Sequence, residues 1–195
     1  AKKRGWNVDL WEKEDRLGGT LWPAGGPDFK ADVIRLINYL AKQCEKHGVN
    51  VCLNKAATAE NINEKKYDKI VLAAGATPVV PGIEGIEHTI GACDYLTNKA
   101  TVGKNGVVIG GGLAGTEAAC DIAPNAESVT IVEMLPDILA TAQHCLNNDQ
   151  HLKKLVRDRG VKVVANAKVT KITPTSVTYE ANGEVVELPC DTVLN

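Results

Sequence analysis

Between Asn105 and Glu133 the sequence reads NGVVIGGGLAGTEAACDIAPNAESVTIVE, and this run leaves the chain few folds to adopt. Val107-Val108-Ile109 is a short apolar run of the kind that forms a buried parallel strand. It leads into Gly110-x-Gly112-x-x-Gly115, and from Leu113 a helical pattern runs through Ala114, Ala118 and Ile122. Val129-Thr130-Ile131-Val132 reads as a second strand and closes on Glu133. A lone GxGxxG says little. Strand, glycine turn, helix, strand and acid in this order form the context that a dinucleotide site requires.

Each part has a physical task. Gly110 permits the tight turn out of the strand, Gly112 lets a pyrophosphate approach the backbone, and Gly115 lets the helix lie close to the sheet. The free N–H groups and positive dipole end of the helix, at Leu113 and Ala114, receive the phosphate charge. Glu133 lies 18 residues past Gly115, where an acid can hydrogen-bond a ribose 2′-hydroxyl. A carboxylate there repels a 2′-phosphate, which favours NAD(H) over NADP(H). The alternative for Glu133 is a solvated strand end.

Composition sets limits on the rest. At 195 residues, with 44% hydrophobic and 24% charged side chains, the chain suits one or two globular domains. A net charge of −2 gives no electrostatic case for nucleic acid or an acidic membrane as partner. No apolar run approaches a membrane span, and Ala1-Lys2-Lys3-Arg4 has no apolar segment behind it to make a signal peptide. Six cysteines stand at 44, 52, 93, 120, 145 and 190 without a CxxC pair. Cys44, Cys52 and Cys120 fall in helix or strand patterns as small core residues, and reduced thiols suit the cytoplasm. His47, His88, His144 and His151 have no finger-like spacing with these thiols, so no metal site is expected.

Along the chain, Ala1–Gly5 resembles the last turn of a helix with a glycine stop. Asn7–Glu12 reads as a strand ending in an acid, and TLWPAGGP at 20–27 as a loop. Asp28 is placed to cap a helix whose stripe is Val33, Ile34, Ile37, Leu40, Ala41 and Cys44, ending at Gly48. Residues 49–53 read as a strand, 59–66 as a polar connection with some helical character, and 69–74 as another buried strand. Pro78–Gly85 is a natural crossing between domains, with a mixed connection over His88–Gly103. After Glu133, Met134–Ala142 reads as a loop, and Asn148 or Asp149 starts a helix carrying Leu152, Leu155 and Val156. Residues 161–164 read as a strand. The stretches 167–172, 176–180 and 184–188 suit an antiparallel meander turned at Asn182-Gly183, with a last strand at 191–194.

The chain also repeats itself. VDLWEKEDRL at 8–17 parallels VTIVEMLPDI at 129–138, which places Glu12 and Glu133 in register 121 residues apart. KHGVNVCLNKAATAENI at 46–62 parallels DRGVKVVANAKVTKITP at 158–174, and YDKIVLA at 67–73 parallels CDTVLN at 190–195. Two copies of one nucleotide-binding unit are therefore expected, the first without its glycine turn and the second without its far end, as in a segment of a larger flavoenzyme. The expected domains are 1–99, a partial copy that the resemblance described next implies binds FAD, and 100–195, an NAD(H)-binding domain.

Glu12 followed by Gly18-Gly19, Ile70–Gly75 running into Ala-Gly-Ala-Thr-Pro, and GGGLAGTE at 110–117 resemble the two-dinucleotide flavoprotein superfamily. WEKEDRLGG and AAGATPVVPGIEG are similar to the C-terminal half of NADH:flavin oxidoreductases, a group with 2,4-dienoyl-CoA reductases, enoate reductases and trimethylamine dehydrogenase. The resemblance implies a Rossmann-like α/β fold, three-layered, with a parallel central sheet and an antiparallel meander. It implies that Glu12 holds the FAD adenosine ribose, Gly18 and Gly19 lie near FAD, Ala74 and Gly75 approach its phosphates, and Ala56 and Ala57 its adenine. Gly110, Gly112 and Gly115 would bind the NAD pyrophosphate with Glu133 on the ribose, and Glu117 would face the nicotinamide end unless it is a solvated helix residue.

FMN and iron–sulfur sites, in such relatives, belong to the remaining domains of the parent enzyme, and this segment passes electrons in from NADH. Paired cysteines near Gly18-Gly19 or before Gly110 are absent, which disfavours dithiol chemistry. No Ser–His–Asp or Cys–His set offers a catalytic residue. The alternative function is a non-redox domain that keeps a structural adenine nucleotide.

Overall fold

The computed structural model describes residues 1–140 and 145–195. His144 and the end of the 134–142 loop lie outside them. The chain divides into two compact units, unit 1 (1–25 and 30–77) and unit 2 (26–29 and 78–195).

Unit 1 opens with a single 3-10 turn, Lys2–Arg4, stopped by Gly5 at φ +87°. Strand β1 (Asp9–Trp11) is followed by a short helix α1 (Leu21–Ala24) where a loop was expected. Pro23 is tolerated there because first-turn amides have no helical partner to lose, and Trp22 anchors the turn by donating its Nε1–H to the Leu17 carbonyl at 2.9 Å. Helix α2 (Ala31–Lys46) begins later than Asp28, with Lys30 at its N-cap. Asp28 belongs instead to unit 2, where its N–H donates to Asp121 and its carboxylate accepts from Arg159. The expected stripe of α2 is only partly covered: Ile37 is buried, whereas Leu40 is exposed. Strand β2 (Asn50–Cys52) pairs parallel with β1, and α3 (Ala59–Glu64) starts from a capping box between Thr58 and Asn61.

The stretch 69–74 is not a strand. Val71 and Leu72 are 88% and 85% exposed, and the backbone there pairs with no other strand. Its counterpart in the second copy, 192–194, pairs with the strand that precedes the glycine turn. The first copy in this chain has no such strand, and a strand cannot exist without a neighbour to satisfy its N–H and C=O groups.

In unit 2, α4 (Ala92–Asn98) lies within the connection and buries Tyr95 and Leu96. Strand β3 (Asn105–Ile109), helix α5 (Leu113–Ile122) and strand β4 (Ser128–Val132) follow the spacing of the motif. Helix α6 runs Leu146–Asp158, starting earlier than Asn148, and ends at Gly160 with φ +66°. The parallel sheet has the order β5-β4-β3-β9, with β5 at Lys162–Val164 and β9 at Thr192–Leu194. Strands β6 (Ala167–Thr173), β7 (Ser176–Ala181) and β8 (Glu184–Pro189) form the antiparallel meander. Its β7–β8 turn puts Asn182 and Gly183 at φ +52° and +80°, the two positive values that a two-residue hairpin turn demands.

Alternation along the strands makes the three layers. Val108, Ile131 and Leu194 pack with Ala118, Ile122, Leu152 and Val156 on the helix side. Val107, Val132 and Val193 pack with Val169, Ile172, Val177 and Tyr179 on the meander side. Across the helix layer, Asp121 is buried and accepts from Tyr95 Oη at 2.8 Å and from Lys99, so its charge is compensated. Cys120 is fully buried, as expected of a core thiol, and Cys190 joins it, whereas Cys44 and Cys52 are half-buried.

Candidate dinucleotide-binding site

Where β3 ends, Ile109 pairs with Val132, and the Gly110 N–H still donates to the Val132 carbonyl at 2.9 Å. The chain then turns sharply through Gly110 at φ +92°, a conformation that side chains with a Cβ rarely adopt. Gly112 has ordinary extended backbone, φ −69° and ψ −176°, and serves as N-cap of α5 without any side-chain hydrogen bond to the first turn. Nothing lies within 4 Å of where its Cβ would stand. A Cβ on Gly115 would run into the Gly110 carbonyl oxygen and lie 3.3 Å from Val108 Cγ1. The three glycines thus have three different reasons: a positive φ, an open approach to the backbone, and close packing of helix against turn.

The first turn of α5 leaves its amides at Leu113, Ala114 and Gly115 without helical acceptors, and it has no acidic residue of its own. Leu113 and Ala114 are exposed. Such a terminus suits an anion: it offers N–H groups and the positive end of the helix dipole. Glu133 stands beside it and is only 7% exposed, which rules out a solvated strand end. Its Oε2 accepts from the Gly111 N–H at 2.5 Å and its Oε1 from the Leu135 N–H at 2.8 Å. Glu117 is likewise buried on α5, at 6% exposure, so it is no solvated helix residue either.

Gly111, Thr116, Ile138 and Leu139 also build the turn, and the sequence reading does not single them out. The Gly111 carbonyl accepts from the Leu139 N–H at 2.7 Å and from Thr116 Oγ1 at 3.1 Å. A Cβ on Gly111 would meet Ile138 Cγ2 at 2.5 Å. The middle glycine of GGG, Gly111, was the only sequence signal for any of this.

Residues 28–195 match the model of the pyridine nucleotide-disulphide oxidoreductase family. The chain belongs to that family. Domains of this pyridine nucleotide-disulphide oxidoreductase type bind FAD and NAD(P)H. The chain is 37% identical over 185 residues to a cinnamate reductase of Clostridium sporogenes, covering 94% of this chain and 28% of that protein. It is 37% identical over 185 residues to an NADH oxidase of Thermoanaerobacter brockii, covering 91% of this chain and 28% of the other. Among solved structures, a 2-naphthoyl-CoA reductase in complex with 2-naphthoyl-CoA superposes with a TM-score of 0.88 at 28% identity, covering 100% of this chain and 30% of that one. The chain therefore spans under a third of the length of these relatives.

The other expected contacts of this family member lie in unit 1. Glu12 is half-buried at the end of β1, and its Oε1 accepts from the Glu14 N–H at 3.0 Å. Gly18 and Gly19 take φ +123° and +47°. A Cβ on Gly18 would meet Trp22 Nε1 at 2.7 Å and Ile37 Cγ2 at 2.8 Å, so the turn is packed from inside as well as bent. Ala56 and Ala57 are exposed before α3, with the Ala56 carbonyl held by Asn61 Nδ2 at 2.9 Å. Ala74 and Gly75 are exposed, Gly75 at φ +73°. Among the described residues unit 1 has no counterpart of the Gly110–Gly115 turn to set beside Glu12.

The cysteines are free among the described residues, and no group of three or more His, Cys, Asp or Glu there could hold a metal. Burial pushes the thiols of Cys120 and Cys190 up to about 11, which keeps them protonated and unreactive near neutral pH. No helix among the described residues is long and apolar enough to cross a membrane.

Proposed function

We propose that this chain is the dinucleotide-binding part of an NADH:flavin oxidoreductase of the 2,4-dienoyl-CoA and enoate reductase kind. The observation that carries the reading is the uncapped start of α5 behind Gly112, with open space where a Cβ would be and a buried Glu133 alongside. Gly110, Gly112, Leu113, Ala114 and Gly115 would seat the NAD(H) pyrophosphate, Glu133 the adenosine ribose, and Glu117 the nicotinamide side. Glu12, Gly18, Gly19, Ala56, Ala57, Ala74 and Gly75 would serve FAD, with residues 1–99 as the FAD side and 100–195 as the NAD(H) side.

Bound together, the two nucleotides supply hydride transfer from NADH to flavin, and the protein's share is to hold and orient them. An FMN site, an iron–sulfur cluster and the substrate pocket are assigned to the remaining domains of the parent enzyme, in the cytoplasm. This chain alone is then inactive. The relatives, a cinnamate reductase and an NADH oxidase, support a redox role over a structural nucleotide.

Titrating the chain with NADH and with ADP by calorimetry tests the reading. Saturable binding of both, lost in a charge-matched variant that blocks the turn, is expected. An absence of binding to either nucleotide would end the proposal.

A further inference from the structure

Glu133 spends both carboxylate oxygens on backbone amides, one of them inside the glycine turn. An acid that served only a ribose would need no partner on the turn. The next peptide unit is held through the Gly111 carbonyl, which accepts from Thr116 Oγ1 and the Leu139 N–H, and Ile138 fills the space that a Gly111 side chain would need. Leu139 takes φ +61° to make its bond, an uncommon conformation for a residue with a large side chain. It is buried together with Ile138 rather than frayed. Three elements, the end of β4, the first turn of α5 and the 134–139 loop, therefore converge on one residue, Gly111.

Unit 1 provides an internal control. Glu12 likewise accepts from the amide two residues on, Glu14 in place of Leu135, but among the described residues no counterpart of the Gly110–Gly115 turn donates to it. Glu12 is half-buried where Glu133 is buried.

We infer that Glu133, with Ile138 and Leu139, is a clamp that fixes the glycine turn in its nucleotide-receiving form before any nucleotide arrives. Glu133 is then a positioning residue for the pyrophosphate seat, in addition to any ribose contact. This rests on the dinucleotide reading above. The hydrogen bonds on both sides of Gly111 hold its flanking peptide planes, so the amides of the following turn are presented without reorganisation when an anion binds.

Two measurements on the whole chain separate the clamp from a ribose contact and from the dinucleotide reading itself. The first needs no nucleotide. In the wild type the Gly111 amide proton should resonate downfield and exchange slowly, as a bond to a carboxylate requires. Glu133→Ala should speed its exchange about tenfold or more, and Glu133→Gln, which keeps one acceptor oxygen, should fall between. A freely exchanging Gly111 amide in the wild type, or one unchanged in Glu133→Ala, overturns the clamp.

The second measurement compares ADP with 2′-deoxy-ADP. If Glu133 acted only on the 2′-hydroxyl, 2′-deoxy-ADP would bind wild type and Glu133→Ala equally. The clamp instead lowers 2′-deoxy-ADP affinity about tenfold in Glu133→Ala, the loss expected for one charge-assisted bond, with partial rescue in Glu133→Gln. Equal affinities for the deoxy nucleotide overturn the proposal. A wild type that binds neither nucleotide removes the dinucleotide reading, while amide exchange still decides the clamp.

Discussion

Units 1 and 2 share a skeleton down to single hydrogen bonds. Asp9, Leu10 and Trp11 face Asn50, Val51 and Cys52 in the register in which Thr130, Ile131 and Val132 face Lys162, Val163 and Val164. The Glu12 N–H donates to the Cys52 carbonyl as the Glu133 N–H donates to Val164, and Lys55 returns to Glu12 as Ala167 returns to Glu133. Gly48 and Gly160 end the preceding helices at φ +65° and +66°, and Asn54 and Asn166 both sit near φ +50°. Yet among the described residues Ile37 is the one buried apolar side chain of unit 1, while unit 2 buries Val108, Ile131, Ala118 and Leu194 completely. The contrast separates two layers of cause. Caps, left-handed Asn and Gly positions and strand register are local, and they survive in a unit with little core. Burial and a turn like Gly110–Gly115 both need the central strand, which among the described residues only unit 2 has.

Matched substitutions test that contrast most strongly. Leu10 and Ile131 occupy equivalent positions, half-buried and fully buried respectively. Ile131→Ala should cost about 2–5 kcal/mol in denaturant unfolding of unit 2, and Leu10→Ala well under half of that. Equal losses would mean that the first unit has a core as tight as the second.

Gly112→Val should reduce NADH affinity about 100-fold or more, close to 3 kcal/mol, with an unchanged melting temperature. Its φ of −69° and the free space around its Cβ remove any backbone objection to valine. Undiminished binding in this folded variant would take the pyrophosphate off the turn.

A smaller effect concerns the 2′-phosphate. NADPH should bind about tenfold more weakly than NADH, and Glu133→Ala should narrow the gap, since the repulsion comes from that carboxylate. Parallel titrations of the two nucleotides decide it.

Least of all, Thr58→Ala removes one side of the α3 capping box and should cost about 1 kcal/mol in unit 1, with no change in nucleotide binding. A loss of NADH affinity in that variant would couple the two units in a way that neither predicts alone.

Much of unit 2 was legible because its signals are local: apolar runs of strand length, three glycines at fixed spacing, and Asn182-Gly183 between alternating strands. The candidate residues Gly110, Gly112, Gly115 and Glu133 were readable for the same reason. Ile70–Ala74 misled for a physical reason. Its composition is that of a buried strand, but a strand depends on a neighbour that no local pattern supplies. Leu21–Ala24 misled because Pro and Gly counts ignore that a proline in a first helical turn breaks nothing. The Gly111–Glu133 and Gly111–Leu139 bonds were invisible because they join residues 22 and 28 positions apart, and on the Gly111 side they use backbone atoms that carry no sequence signature.

The uncovered run from Lys69 to Val80 has a consequence for handling the molecule. Ile70, Val71, Leu72, Val79 and Val80 are all exposed, and the stretch is rich in β-branched residues. An open apolar segment with strand composition is a template for the same segment of another molecule, in the manner of cross-β stacking. A net charge of −2 provides little colloidal repulsion against it. Purified at high concentration near neutral pH, the chain is expected to form turbid, dye-binding aggregates. A lysine in place of Val71 would act as a gatekeeper, keeping the solution clear without touching the glycine turn.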